Sequence, residues 1–230
     1  MKGRVIVFAP HPDDETLCCG GTIAKRISEG YEVYVVVMTD GRYSFLHMLG
    51  INRNPAPEEV KEIRREEVKR ATRILGVPEE NLIFLNFVDR TLMDNEDEAV
   101  RRVVEVLNDK RPVEVYVPYK RDGHPDHRAT YRIVKEAIRE LGLPVKVYQY
   151  SISHKYARVG PIVDRLLSLF MKNIVCVDIK DFLRIKEEAI NQFKSELEVI
   201  SIRQHAPLTD RESIRKYLKS EELFYIDEQH

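Results

Sequence analysis

Arg4-Val-Ile-Val-Phe-Ala-Pro-His-Pro-Asp-Asp-Glu15 sets a short apolar, β-branched run directly against a polar turn, and the residues from Leu17 to Glu29 then read as a helix closed by Gly30. A buried strand feeding a helix is the opening of a βαβ unit. The pattern repeats outward. Glu32 to Thr39 reads as a second strand, followed by an irregular stretch from Asp40 to Ala56 and a helix from Pro57 to Leu75 that Gly76 and Pro78 end. Leu82 to Phe87 is a third strand, Glu96 to Lys110 a helix, Val113 to Val117 a fourth strand, His127 to Leu141 a helix and Val145 to Tyr150 a fifth strand. Strands alternating with helices predict an α/β fold, a doubly wound, mostly parallel sheet of Rossmann-like kind with helices on both faces. Beyond Ser151 the regularity weakens: a loop-rich stretch to Lys172, a strand at Ile174 to Val177, a helix from Asp181 into Phe193 and a charged helix near Arg211 to Lys219. No linker, repeat or low-complexity segment divides the chain, so residues 1–230 read as a single domain.

The chain has 230 residues, enough to bury roughly 70–75% of its unfolded surface without a disulfide or a structural metal. Any metal here needs another reason. Lys and Arg number 37 against 38 Asp and Glu, which lacks the basic excess of a nucleic-acid binder. The longest apolar runs, Val5 to Pro10 and Val33 to Met38, fall far short of the ~20 residues that span a bilayer. The N-terminus carries no signal-peptide core, and three cysteines, two of them adjacent, suit a reducing compartment. A cytoplasmic protein is expected.

In open α/β sheets ligands bind beyond the carboxyl ends of the strands. Here those positions hold His11-Pro-Asp-Asp-Glu15, Asp40-Gly-Arg42, Asp89-Arg90, Arg121-Asp-Gly-His-Pro-Asp-His127 and His154. An acidic pair at a helix start has an ordinary use as a cap for free N–H groups, and Asp126 can be read the same way. Two His-Pro-Asp turns at equivalent strand ends are harder to explain so, because metal sites gather His and carboxylate from different strand ends. A catalytic zinc takes three N/O protein ligands and keeps an open position; His11 and Asp14 with a distant His supply such a set. Asp13 then remains free. A carboxylate beside the metal but not coordinated to it is placed to take a proton from the attacking water. A second imidazole, oriented by a carboxylate on its other nitrogen, could stabilise or protonate what forms.

With these two turns the chain resembles the PIG-L/LmbE-type metal-dependent N-deacetylases, over about its first 140 residues well and over the last third loosely. Ala9-Pro-His-Pro-Asp-Asp-Glu15 stands where the family usually has Ala-His-Pro-Asp-Asp-Glu, and His124-Pro-Asp-His127 is the second signature. The resemblance implies His11, Asp14 and His127 as metal ligands, Asp13 as general base, and His124 as the oxyanion-stabilising or acid group, held by Asp126. It implies Zn²⁺ as cofactor, with Fe²⁺ as the alternative at a His₂Asp site. An Arg-x-x-Glu pair maps to Arg64 and Glu67, with Arg64 reaching the substrate, and Asp89 would bind sugar hydroxyls. Thr39-Asp-Gly-Arg42 departs from the family's Thr-Asp-Gly-Glu, so Arg42 would give that loop a different substrate-binding lining. Lys194-Ser-Glu196 resembles a C-terminal Ser-Gln element, with Glu196 replacing Gln. The family acts mainly on N-acetylglucosamine units, in lipid-linked sugar, thiol-cofactor precursors and chitin disaccharide. Archaeal diacetylchitobiose deacetylases are relatives, and this chain looks shorter than they are. A small amino-sugar substrate is the expected partner.

The remaining polar and aromatic residues carry weaker signals. An exposed Arg64–Glu67 bridge at i,i+3 would be common and nearly neutral, and Asp89 could simply begin a turn. Cys18 and Cys19 point ~100° apart on a helix and are expected to pack rather than ligate. Gly20-Gly21 lie inside a helix, and neither a Gly-x-Gly-x-x-Gly nor a Walker pattern exists. His47, His154 and His205 have no local pattern; His154 follows the fifth strand, and His205 could close a neighbouring subunit's site in a homo-oligomer. Tyr43, Phe45 and Tyr119 could stack on a sugar, though such rings usually pack. The competing readings are an amidase acting on a non-sugar or thiol conjugate, a phosphoesterase, which would want further ligands, and a metal-binding homologue without catalysis.

Overall fold

Strand β1 (Arg4–Ala9) lies near the middle of a sheet with order β3-β2-β1-β4-β5-β7-β6. The computed structural model describes residues 2–152 and 173–227. Strands β2 (Glu32–Thr39), β3 (Leu82–Phe87), β4 (Glu114–Pro118) and β5 (Lys146–Tyr150) run parallel to β1 through pairings such as Val5 with Val33 and Val5 with Glu114. Strand β7 (Glu221–Ile226) pairs antiparallel with both β5 and β6 (Ile174–Asp178). The α/β, doubly wound, mostly parallel expectation is met.

Period-two alternation along β1 divides the core. Ile6 and Phe8 face α4 (Glu96–Lys110) and α5 (Pro125–Leu141), packing with Val103, Leu107, Ala129 and Ile133. Val5 and Val7 face the other way, toward α1 (Asp14–Ser28), α3 (Pro57–Ile74) and α6 (Leu183–Ile190), where Cys19, Ile23, Val68 and Ala189 bury. A strand buried on both faces can therefore be apolar at every position. Cys18 and Cys19 pack in this second core, as expected of small apolar residues.

Of the described elements that escaped the sequence pattern, two bear on the packing. The stretch from Asp40 to Ala56 contains a short helix, α2 (Ser44–Leu49), whose Phe45 is buried with Ile51 and Val60 and so belongs to a small satellite core rather than to a sugar platform. Strand β7 follows α8 (Arg211–Arg215), shorter than the helix expected there. Its two leading glutamates disguise it. Glu222 is 5% exposed, accepts the N–H groups of Gly21 and Thr22 at 2.9 and 2.8 Å, and pairs with buried Lys186 at 2.7 Å.

Gly21 makes that docking close. A Cβ there would lie 2.4 Å from Ile179 Cδ1 and 2.7 Å from Ile179 Cβ. Gly21→Ala is therefore expected to destabilise the fold by about 1–3 kcal/mol, the usual cost of overpacking, although alanine is the better helix former. Urea unfolding checks it; unchanged or raised stability would show that the contact relaxes freely.

Candidate active site

The sheet order reverses between β1 and β4, and the residues that leave these two strands meet at their carboxyl ends, where an open α/β sheet forms its ligand crevice. Helix α1 begins at Asp14, three residues before the expected Leu17, and α5 begins at Pro125, so both His-Pro-Asp turns lie against helix N-termini. Neither acidic residue is used as a cap. The Asp13 side chain makes no capping bond, and the cap of α5 is His124, whose Nδ1 accepts the Asp126 N–H at 3.3 Å.

His11 Nδ1, Asp14 Oδ2 and His127 Nε2 converge. Their separations are 3.3 Å (His11 to Asp14), 3.4 Å (His127 to Asp14) and 3.2 Å (His127 to His11). Tetrahedral zinc with bonds of about 2.0–2.1 Å requires ligand atoms about 3.3–3.4 Å apart, so the three donors already sit on one face of such a tetrahedron. Among the described residues two other donor groupings lie within 4.8 Å: His11 with His124 and His127, and His11 with Asp89 and Asp126. The first three are preferred because their spacing fits and because they leave His11 Nε2 to its carboxylates, Asp126 Oδ2 at 3.2 Å and Asp89 Oδ1 at 3.4 Å. A ligating imidazole normally gives its far nitrogen to such a group.

Asp13 stands beside the donors on a backbone that few non-glycine residues adopt, φ 123° and ψ −29°. Such strain costs of order 1–3 kcal/mol and persists only where the surroundings over-determine it. The Asp13 carbonyl accepts Thr16 and Leu17 N–H groups at 3.0 and 2.9 Å, its own N–H donates to Glu15 Oε2 at 3.2 Å, and Arg64 Nη2 donates to Asp13 Oδ2 at 3.0 Å. Arg64 also donates to the Pro12 carbonyl and to Glu196. Burial pushes the Asp13 carboxyl up, with neighbouring Asp14, Glu196 and Glu15 in the same direction and Arg64 opposing. Asp14 is held low: burial opposes its charge, but His127 and His11 outweigh it. His11 is raised because its bonds to Asp126, Asp14 and Asp89 overcome burial. His124 is lowered to about 4 by burial and by the two facing histidines. It is therefore neutral near pH 7, and since Nδ1 accepts a backbone N–H, Nε2 carries the proton.

The donors and Asp13 line a cavity of about 410 Å³, within the range of small-molecule sites. Met48 of α2 and, from the C-terminal third, Thr209, Ser213, Lys216 and Tyr217 complete its wall. A larger depression of about 880 Å³ between α4 and α5 lacks such convergence; its wall includes Arg132 paired with Glu96 and Arg139 paired with Glu136.

Several residues sit differently from expectation. Arg64 borders the cavity but is 3% exposed, and its Nη groups are occupied by Asp13, Pro12 and Glu196, so it braces the turn. Its simple bridge to Glu67 is replaced too: Glu67 accepts from the backbone and hydroxyl of Ser195 on α7 (Lys194–Leu197). Arg42 is absent from the cavity wall, its guanidinium paired with Asp40 and Glu58. Asp126 gives its carboxylate to His11 and to the Arg90 N–H at 2.8 Å, and touches His124 through its backbone N–H. Asp89 lies where a substrate could meet it, with Oδ2 accepting the Tyr43 N–H at 3.2 Å. His205 is exposed and His47 stacks edge-on against Tyr43; His154 lies outside the described residues. Asp122 and the contact of Glu196 with Arg64 add to the site beyond what local pattern suggests.

An open α/β sheet with a His/carboxylate donor group and a free carboxylate at its switch point has the form of a hydrolytic enzyme. The chain belongs to the PIG-L family: the family model described as "PIG-L: GlcNAc-PI de-N-acetylase" matches residues 6–138. It is 30% identical over 200 residues to the diacetylchitobiose deacetylase of Thermococcus kodakarensis, covering 84% of this chain and 70% of that protein. It is 32% identical over 165 residues to a probable N-acetyl-alpha-D-glucosaminyl L-malate deacetylase 2 of Bacillus anthracis, covering 69% and 70%. The N,N'-diacetylchitobiose deacetylase of Pyrococcus horikoshii shares the fold, with TM-score 0.71 at 24% identity over 97% of this chain and 83% of that one.

Proposed function

We propose that this protein is a zinc-dependent N-deacetylase, removing the acetyl group from an N-acetylglucosamine-type sugar or conjugate. The observation that carries the reading is the spacing of His11 Nδ1, Asp14 Oδ2 and His127 Nε2 with Asp13 left out of the set. Zinc held by these three would polarise the acetyl carbonyl and make water a better nucleophile. Asp13, raised toward neutrality by burial, takes the proton from the attacking water. Arg64 and Glu15 keep it aimed. His124 offers its Nε2–H to the oxyanion as a neutral donor, and Asp89 meets sugar hydroxyls beside it. The departing amine receives the proton that Asp13 took.

Membership in a deacetylase family and the deacetylase names of both relatives support this chemistry. Cys18 and Cys19 are buried in the core, and no described helix is long and apolar enough to cross a membrane. Acetate release should be measured for zinc-loaded and chelator-treated protein with N-acetylglucosamine, diacetylchitobiose and an N-acetylglucosaminyl malate. Release that needs zinc from at least one of these is expected. Silence across the panel from protein with zinc bound would overturn the substrate assignment.

A further inference from the structure

Asp122 is a buried carboxylate, 5% exposed, and among the described residues no lysine or arginine pairs with it. Burying an acid without a strong cationic partner is costly, so its position calls for a cause. Among the described residues its ion-pair partner is His127 Nδ1, 3.1 Å from Oδ1. That nitrogen is the far side of the ring whose Nε2 faces His11 and Asp14.

We propose that Asp122 is a positioning residue for the metal site, accepting the Nδ1–H of His127 and thereby fixing the tautomer that presents an unprotonated Nε2 to the metal. This rests on reading His127 as a ligand. The turn that carries Asp122 is braced on several sides. Its N–H donates to the Tyr119 carbonyl at 2.9 Å, its Oδ1 accepts the His124 N–H at 2.9 Å, and Arg128 Nη1 donates to the carbonyls of Asp122 and Gly123 at 2.8 and 2.9 Å. Oδ1 is therefore fixed before it meets the ring. His127 Nδ1 and Asp122 Oδ2 are both buried and neither makes a hydrogen bond of good geometry, so the 3.1 Å approach of Nδ1 to Oδ1 is the contact on which the proposal stands. The arrangement parallels His11, whose far nitrogen faces Asp126. Each imidazole of the donor set thus has a carboxylate behind it. The same Oδ1 also holds the backbone of His124, so one side chain sets the spacing between a ligand and the oxyanion donor.

Zinc affinity by chelator competition tests the proposal on wild type, Asp122→Ala and Asp122→Asn, with circular dichroism as the check on folding. Loss of the carboxylate is expected to weaken zinc binding by roughly 10–100-fold in the alanine variant, with part of that recovered by asparagine, whose carbonyl still accepts from Nδ1–H. Folded variants that bind zinc within about twofold of wild type would overturn it. Should either variant fail to fold, the wild-type zinc protein decides alone. His127 is expected to show an exchange-protected, far-downfield Nδ1–H resonance, and its absence would count against the bond. If wild type itself binds no zinc, the reading of the metal site fails first and this proposal with it.

Discussion

Asp13→Asn should lower kcat by about 10²–10⁴-fold, the usual worth of a general base, while zinc stays bound. Asparagine has nearly the same shape, keeps an oxygen for Arg64 Nη2, and tolerates positive φ better than most residues, so the turn at φ 123° has no reason to rearrange. What it cannot do is accept a proton. The base is well matched to its task because burial lifts its carboxyl, while the bond from Arg64 opposes that rise and aims it. Acetate release and zinc content measured on one preparation separate the outcomes. Near-normal turnover would remove Asp13 from the role of base; loss of zinc would instead place it among the ligands.

The contrast between β1 and β7 shows what a sequence can reveal. Val5 to Ala9 is buried on both faces, and its uninterrupted run of apolar residues carries that information within five positions. Strand β7 has the same kind of backbone pairing but begins with two glutamates, one of them turned inward to α1 and Lys186. Local pattern cannot show that. Site residues divide in a similar way. The His-Pro-Asp turns are legible because each packs several chemical groups into a few positions. Arg64 is legible as important but not in its part, since its partners Pro12, Asp13 and Glu196 lie 51 to 132 positions away and only tertiary packing unites them. Asp122 has a readable sign: an Asp two residues before His124 can accept that residue's N–H in an Asx turn. Its contact with His127 depends on the helix that follows.

The metal assignment is open to a sharper test than loss of activity, because two donor groupings share His11 and His127 and differ in the third member. If Asp14 completes the set, Asp14→Ala should bring zinc content from near one per chain toward zero, and turnover should fall to background. His124→Ala should keep its zinc and lose only the oxyanion donor, about 10²–10³-fold in kcat. The three-imidazole grouping predicts the reverse for zinc. Geometry favours Asp14: its Oδ2 lies 3.3 and 3.4 Å from the two imidazole nitrogens, and it also accepts the His11 N–H at 3.0 Å, which ties it to the first ligand's own backbone. His124 has already given Nδ1 to the Asp126 N–H and in neutral form keeps Nε2 protonated, a poor state for ligation. Thermal unfolding adds a readout independent of substrate. A ligand that binds only the folded state stabilises it by about 4 kcal/mol at a thousand times its Kd. Wild type, Asp13→Asn and His124→Ala should therefore all shift upward in Tm with added zinc, whereas Asp14→Ala and His127→Ala should not. A zinc-dependent shift that survives in Asp14→Ala and vanishes in His124→Ala would transfer the ligand's role from the carboxylate to the third imidazole.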